Sequence, residues 1–423
     1  MLSRMTTAAC AAYLILLLVA MPTAWTQDVV DVLTLGDAVE LALAGNPDLR
    51  GFGYRLRAQQ ARTDTASLAP PLELRANVEN LLGSGAANRL DSAEAEFSIS
   101  RVIELGDKRA LRAAAGQAGS QLLGVEQSAA ELDVVAEVTR RFIHVAADQA
   151  HLELTGRATE LAEETLAATE ARVAAARAPE VELRRARVTL VRAQIDQEHA
   201  EHELLASRRL LAALWGESEP RFGRIDADLY RLPAPAAFES LLARLERNPD
   251  FLRFISEARL RDAEIRLAQA RARADIDVTA GIRRLQRTRD QAFVVGVAMP
   301  LGSAARARGA IAEASALRGA SDAERDAHRV RIEAQLFAVY QELLHAVTEA
   351  GSLRATVVPE MESALIATRE AFERGRYSYL EWVDAQRELI AVQRELIESS
   401  ADAHLYLAEI ERLTGEPLSP ANP

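Results

Sequence analysis

From Gly106 to Gly156 the chain runs without a proline, in a mix of alanine, leucine, glutamate and arginine that favours helix. At about 1.5 Å per residue such a helix approaches roughly 75 Å, well beyond the span of one globular core. Helices of that length find partners by running along one another in a tube or coiled bundle. The rest of the composition agrees, because 49% of residues are hydrophobic but only 5% aromatic, so the apolar content is mostly small or aliphatic.

The chain is also internally repeated. Asn46-Pro47-Asp48-Leu49 recurs as Asn248-Pro249-Asp250-Phe251, and Phe97 through Leu105-Gly106 returns as Phe293 through Leu301-Gly302. Ala186 and Leu190 match Ala385 and Leu389, and Leu214-Trp215-Gly216 matches Leu413-Thr414-Gly415. The expected organisation is a first repeat over 27–216, a linker over 217–235, a second repeat over 236–416 and a short tail over 417–423. Pro220, Pro233 and Pro235 give the linker the character of a surface connection.

Within each repeat the apolar period changes from helix to strand and back. Leu72, Leu74, Ala76 and Val78 alternate with Glu73, Arg75, Asn77 and Glu79, and Ala93, Ala95, Phe97 and Ile99 alternate with Glu94, Glu96, Ser98 and Ser100. This predicts a hairpin over about 72–103 with its tip near Gly83-Ser84-Gly85. A second hairpin is predicted over about 276–299, from Ile276, Val278, Ala280 and Ile282 to a return strand of weaker alternation.

The N-terminus has Arg4, an apolar run from Ala11 to Met21, then Pro22 and small residues, which is the layout of a secretory signal over 1–26. The only cysteine, Cys10, precedes that run and leaves with it, so disulfides and cysteine chemistry are excluded from the exported protein. No later segment has the roughly 18 consecutive apolar residues of a membrane-spanning helix. The net charge of −12 gives no overall attraction for nucleic acid. No phosphate cradle, nucleophile arrangement or Cys/His cluster is visible, so neither an enzyme nor a cofactor is expected.

Hairpins polar on one face and apolar on the other suit a transmembrane barrel with a wet lumen, although an amphipathic sheet on a soluble domain has the same pattern. Four strands cannot close a barrel, and open edges in lipid leave backbone groups unsatisfied at several kcal/mol each. Several chains would therefore share one barrel. The alternative from another class is a secreted coiled-coil scaffold or adaptor that never enters a bilayer.

The order of elements resembles the TolC-like outer-membrane efflux family over nearly the whole mature chain. The resemblance is carried by Leu33-Thr34-Leu35 with Asn46-Pro47-Asp48-Leu49, and by Phe372 through Gln386, where Gly375-x-x-Ser378 precedes a helix with Asp384-Ala385-Gln386. It implies a mainly α fold with a small β part: a homotrimer whose twelve-stranded transmembrane barrel stands on a long periplasmic helical tunnel. The implied partners are a periplasmic adaptor, an inner-membrane resistance-nodulation-division pump and outer-membrane lipid. Ile103 through Arg112 and Ala178 through Leu183 resemble the cobalt/zinc/cadmium branch, which implies divalent metal cargo. Drug efflux and type I secretion are the alternatives within the family.

The resemblance places Glu381 and Asp384 at the periplasmic aperture; as a solvated helix face they would instead have Arg376 and Arg387 as local partners. Gly375, Arg376, Tyr377, Ser378 and Tyr379, with Pro179 and Glu180 of the first tip, are expected to dock the adaptor, the aromatics being exposed in a monomer or packed within the trimer. The first tip has Ala176-Arg177-Ala178-Pro179 in place of Gly375 through Ser378, which leaves open whether the two share a geometry. His199 and His202 are a weak candidate metal pair beside Glu198 and Glu201, against the reading of a solvated face. Arg283, Arg284, Arg287 and Arg289 are candidates to meet anionic lipopolysaccharide outside the cell, or form a charged loop.

Overall fold

The computed structural model describes residues 30–85 and 90–416. The expected signal peptide with Cys10 and the tail over 417–423 lie outside the described residues.

The elements run β1 (Val30–Leu33), α1 (Leu35–Gly45), α2 (Pro47–Ala66), β2 (Leu72–Glu79), β3 (Glu94–Ile103), α3 (Lys108–Ala174) and α4 (Glu180–Ala212). A second series follows, with β4 (Phe222–Ile225), α5 (Phe238–Leu242), α6 (Pro249–Ala270), β5 (Ile276–Leu285), β6 (Asp290–Ala298), α7 (Ser303–Ser352), α8 (Val358–Glu373) and α9 (Tyr379–Thr414). Helix α3 has 67 residues, hence a length of about 100 Å. Among the described residues no helix is long and apolar enough to cross a membrane.

The local chemistry explains the helix starts. Asn46 and Asn248 cap α2 and α6 through their side-chain oxygens, and Pro47 and Pro249 occupy the first helical position, where a missing N–H costs nothing. Thr34 and Asp37 form a reciprocal capping box at α1. Pro359 would break the long second-repeat helix, but the turn before it, Leu353–Val357, widens to a π-helix that joins α7 to α8 and absorbs the misfit.

The long helices pack through small residues. A Cβ on Gly116 of α3 would lie 2.6 Å from the Thr63 hydroxyl of α2, so only glycine allows that approach. Thr155, Thr159, Thr165 and Thr169 are buried along α3, and each returns its hydroxyl to the carbonyl four residues earlier. Larger apolar side chains gather midway, in one cluster around Phe142, Leu211 and Trp215 and another around Phe251, Leu343 and Ile410.

The segment 217–235 differs from the surface connection expected of it. Strand β4 within it pairs in parallel with β1, Leu33 opposite Ile225, and Phe222, Ile225 and Leu229 are buried in the first cluster. Its prolines lie outside this short apolar stretch, which periodicity could not detect.

Strands β2, β3, β5 and β6 form one antiparallel sheet in that order, leaving β2 and β6 as open edges. The register aligns Ala76, Phe97, Ile282 and Phe293 in one row and Leu74, Ile99, Ala280 and Val295 in the next. This face is bare in the protomer, with Phe293 90% and Leu74 78% exposed. The opposite face has Glu96 against Arg283 at 2.7 Å, and there Ser98 and Ser100 are buried.

Candidate functional site

Two helical hairpins end together at the end of the bundle remote from the sheet. In the second, α8 closes on Gly375 in the left-handed region (φ 72°), the Arg376 N–H bonds the Ala371 carbonyl at 2.8 Å, and Ser378 caps α9. In the first, α3 closes on Ala176 (φ 55°), and the Arg177 N–H bonds the Arg172 carbonyl at 2.8 Å. The two tips therefore turn alike, which settles the question the sequence left open. Ala176 adopts the glycine conformation at a cost of about 1–2 kcal/mol, and Pro179 stands at the cap position without a side-chain bond.

Glu381 is exposed, but its carboxylate is engaged. It accepts from the Ser378 N–H at 2.6 Å and the Ser378 hydroxyl at 2.9 Å, completing a capping box. Those bonds, the backbone one foremost, hold its carboxyl below the usual carboxylate range. Asp384, one turn on, is exposed and has no ion-pair or hydrogen-bond partner among the described residues. Neither Arg376 nor Arg387 pairs with either carboxylate.

The two tyrosines separate. Tyr377 is 45% exposed, whereas Tyr379 is 2% exposed, packed with Ala186, Phe372, Trp382 and Val383. The expected exposure of Tyr379 is thus corrected: as the first residue of α9 it turns back onto the preceding helix, and its hydroxyl reaches Thr189 of α4 at 3.4 Å. Arg172 fastens the hairpins, donating to the Phe372 carbonyl at 2.6 Å with its guanidinium 4.2 Å from the Phe372 ring centroid. Gln386 donates to Thr165 at 2.8 Å. These ties escaped sequence reasoning, because residues far apart in the chain meet only when the hairpins pack.

The motif Glu104-Leu105-Gly106-Asp107-Lys108 has a structural task at the foot of the sheet. Lys108, 7% exposed, donates to Asp275 at 2.6 Å and to the Arg273 carbonyl at 2.7 Å, and the Leu105 N–H donates to the same Asp275 oxygen at 3.0 Å. Arg112 forks onto Glu104 and donates to the Ala66 carbonyl at 3.0 Å. Gly106 is left-handed (φ 80°), and a Cβ there would sit 2.7 Å from the Arg273 side chain. The first repeat's strand-to-helix junction is thereby locked to the second's.

Two other candidates have local partners. His199 and His202 are exposed on α4 and lean along the helix in opposite directions, to Glu203 at 3.2 Å and Glu198 at 3.9 Å, so the two share no acid. Among the described residues no group of three or more His, Cys, Asp or Glu could hold a metal. Arg283 lies on the polar face of the sheet, paired with Glu96 and Glu94, while Arg287 donates to Ser92 at 3.0 Å.

A sheet apolar on one side and polar on the other, mounted on helices about 100 Å long, defines the protomer of a membrane channel continued by a helical tunnel. The chain belongs to the outer membrane efflux protein family, whose model matches residues 38–217 and 243–416. It is accordingly an outer-membrane efflux channel with its helical part in the periplasm, a transport protein rather than an enzyme. It is 29% identical, over 90% of both chains, to the cobalt-zinc-cadmium resistance protein CzcC of Cupriavidus metallidurans. Its fold is similar to that of CusC (TM-score 0.76, 16% identity, 92% of this chain and 94% of that one). It is also similar to that of the outer membrane protein VceC from Vibrio cholerae (TM-score 0.73, 18% identity, 91% and 97%).

Proposed function

We propose that three copies of this chain form the outer-membrane duct of a tripartite efflux system, joined through a periplasmic adaptor to an inner-membrane resistance-nodulation-division pump, and that its cargo is divalent heavy-metal cations. The single observation that carries the cargo is the similarity to CzcC along 90% of both chains. Trimerisation is supported by the open edges of β2 and β6, since three four-stranded sheets joined edge to edge would satisfy every backbone group in lipid. The two repeats, 27–216 and 236–416, would each supply one hairpin to the barrel and one helical tip to the entrance.

At the entrance the free Asp384 carboxylates, with Glu381 behind them, would ring the threefold axis, repelling one another when the aperture closes and concentrating cations. Gly375, Arg376, Tyr377 and Ser378, with Pro179 and Glu180 of the first tip, are the exposed surface offered to the adaptor. The test is a clean deletion of the gene, scored for minimal inhibitory concentrations of zinc, cobalt and cadmium beside those of dyes and antibiotics. Lower metal tolerance is expected; hypersensitivity to drugs with unchanged metal tolerance would overturn the cargo and leave the duct standing.

A further inference from the structure

The foot of the membrane sheet is a cationic level in an acidic chain. Where β3, β5 and β6 meet the helices, residues 101–112, 271–275 and 299–308 hold eight arginine or lysine side chains against only three acids, in a chain of net charge −12. Lys108 and Arg112 turn inward to Asp275 and Glu104, and so two of the three acids are consumed. Arg101, Arg271, Arg273 and Arg306 are exposed and have no ion pair among the described residues.

Register shows where this level lies. Arg101 shares the apolar face of the sheet, opposite Leu72 and Val278, one row below Leu74, Ile99 and Ala280. A cation on the lipid side of a barrel is costly at mid-bilayer and nearly free at the interface, so Arg101 marks the periplasmic boundary of the hydrocarbon. Ile103, Met299 and Leu301 continue the bare apolar surface beyond it. Arg271 and Arg273 line a groove of about 330 Å³ next to this boundary, with Pro300, Ser303 and the two ion pairs Lys108–Asp275 and Arg112–Glu104 in its wall.

We propose that this collar binds the headgroups of anionic phospholipids in the periplasmic leaflet of the outer membrane. Guanidinium groups pair with phosphate through a two-pronged fork, and a juxtamembrane cluster of unpaired arginines draws on the same attraction as other basic segments at anionic membrane surfaces. The collar is continuous with the lipid-facing rows, so an acyl chain could lie on Met299 and Leu301 while its phosphate meets Arg271 and Arg273.

The full-length protein in mild detergent is titrated with phosphatidylglycerol, phosphatidylcholine or inorganic phosphate, and retained lipid is counted by native mass spectrometry beside the melting temperature. The wild type should retain phosphatidylglycerol over phosphatidylcholine by on the order of tenfold and melt higher with it. Arg271→Gln/Arg273→Gln/Arg306→Gln should lose that preference, while Arg284→Gln, at the opposite end of the sheet, should keep it. Equal retention of the two lipids by the wild type, or an undiminished preference in the triple variant, would overturn the proposal. So would stabilisation by inorganic phosphate alone, which would make this a free-anion site. Should the triple variant fail to fold, the wild type decides by salt: its preference must fall as ionic strength rises, and a salt-independent preference refutes the collar.

Discussion

The side-chain amide of Asn248 donates to the backbone carbonyl of Leu413 at 2.8 Å and to that of Arg412 at 2.8 Å, while its oxygen accepts from the Asp250 N–H at 2.8 Å. One side chain thereby caps the start of α6 and the end of α9, and Gly415 turns away in the left-handed region just beyond. Asn46 repeats the arrangement in the first half, donating to the Leu214 carbonyl at 2.9 Å and accepting from the N–H of Asp48 at 2.9 Å. The recurrent Asn-Pro-Asp is therefore the clasp that holds the last helix of each repeat against its own second helix.

Asn248→Ala is expected to lower stability by about 2–4 kcal/mol, combining the loss of a helix cap with two buried carbonyls left without a donor. Asn248→Asp keeps the cap and loses the donors, and should fall between alanine and wild type. Melting followed by helical circular dichroism in detergent checks both; a pair of variants that melt like wild type would show that the clasp contributes nothing.

The tips give a reciprocal pair. Ala176→Gly should raise stability and Gly375→Ala should lower it, each by about 1 kcal/mol, because both positions share one left-handed turn and glycine alone occupies it without strain. No heavy atom lies within 4 Å of a Cβ built on Gly375, so strain is the whole of the expected effect there. Opposite signs in denaturant midpoints support the shared geometry, whereas equal signs contradict it.

Much of this architecture is legible in the sequence, and the reasons differ by element. Strands β2 and β3 announce themselves because lipid and water impose opposite demands on alternate residues. The long helices are legible from length and the lack of proline. Strand β4 was not, since four residues from Phe222 to Ile225 are too few to establish a period. The two roles of Glu381 and Tyr379 were hidden for another reason: a carboxylate at the third position of a helix reads equally as cap and as surface charge. A tyrosine beside a turn reads equally as core and as exposed. Only packing between the hairpins decides.

Tyr377 and Tyr379 should respond oppositely to truncation. Tyr379→Ala removes a fully buried ring and should cost about 3–5 kcal/mol, while Tyr379→Phe, losing only a long contact to Thr189, should be nearly neutral. Tyr377→Ala should leave the melting temperature unchanged and weaken capture of the adaptor in a pull-down with the purified adaptor. Normal capture by Tyr377→Ala would remove that ring from the docking surface.

The junction below the barrel should behave as a coupled pair. Lys108→Met alone leaves the partly exposed Asp275 without its cation and should cost about 1–3 kcal/mol, while Asp275→Leu strands the buried ammonium and should cost more, up to about 3–5 kcal/mol. The double variant Lys108→Met/Asp275→Leu should recover a substantial part of the loss. A double-mutant cycle with no coupling energy would mean that this ion pair does not tie the two hairpins together.

Acid should weaken the periplasmic helices before it reaches the ordinary carboxylate range. His404 on α9 places its Nε2 3.1 Å from the Leu229 carbonyl, and burial pushes its pKa down, against the smaller opposing pull of that bond and of Asp228. His328 on α7 shifts the same way, also mainly through burial, between the rings of Phe251 at 5.2 Å and Phe254 at 5.3 Å. An unfolded histidine binds its proton near pH 6.5, whereas the folded protein resists it. Below about pH 6.5, and down to the depressed folded values, the unfolded state therefore holds more protons and stability falls with pH, by at most about 1.4 kcal/mol per pH unit for each histidine. Glu381 is also depressed, but as a carboxylate it withdraws its support only at lower pH still. Asp402, raised chiefly by burial, acts in the opposite sense as it takes up a proton. The measurement is the melting temperature between pH 7.5 and 5.5 for wild type and His404→Gln, whose amide can still donate to Leu229. The wild type should lose stability across that interval and the variant should lose less; parallel pH profiles would place the sensitivity elsewhere than His404.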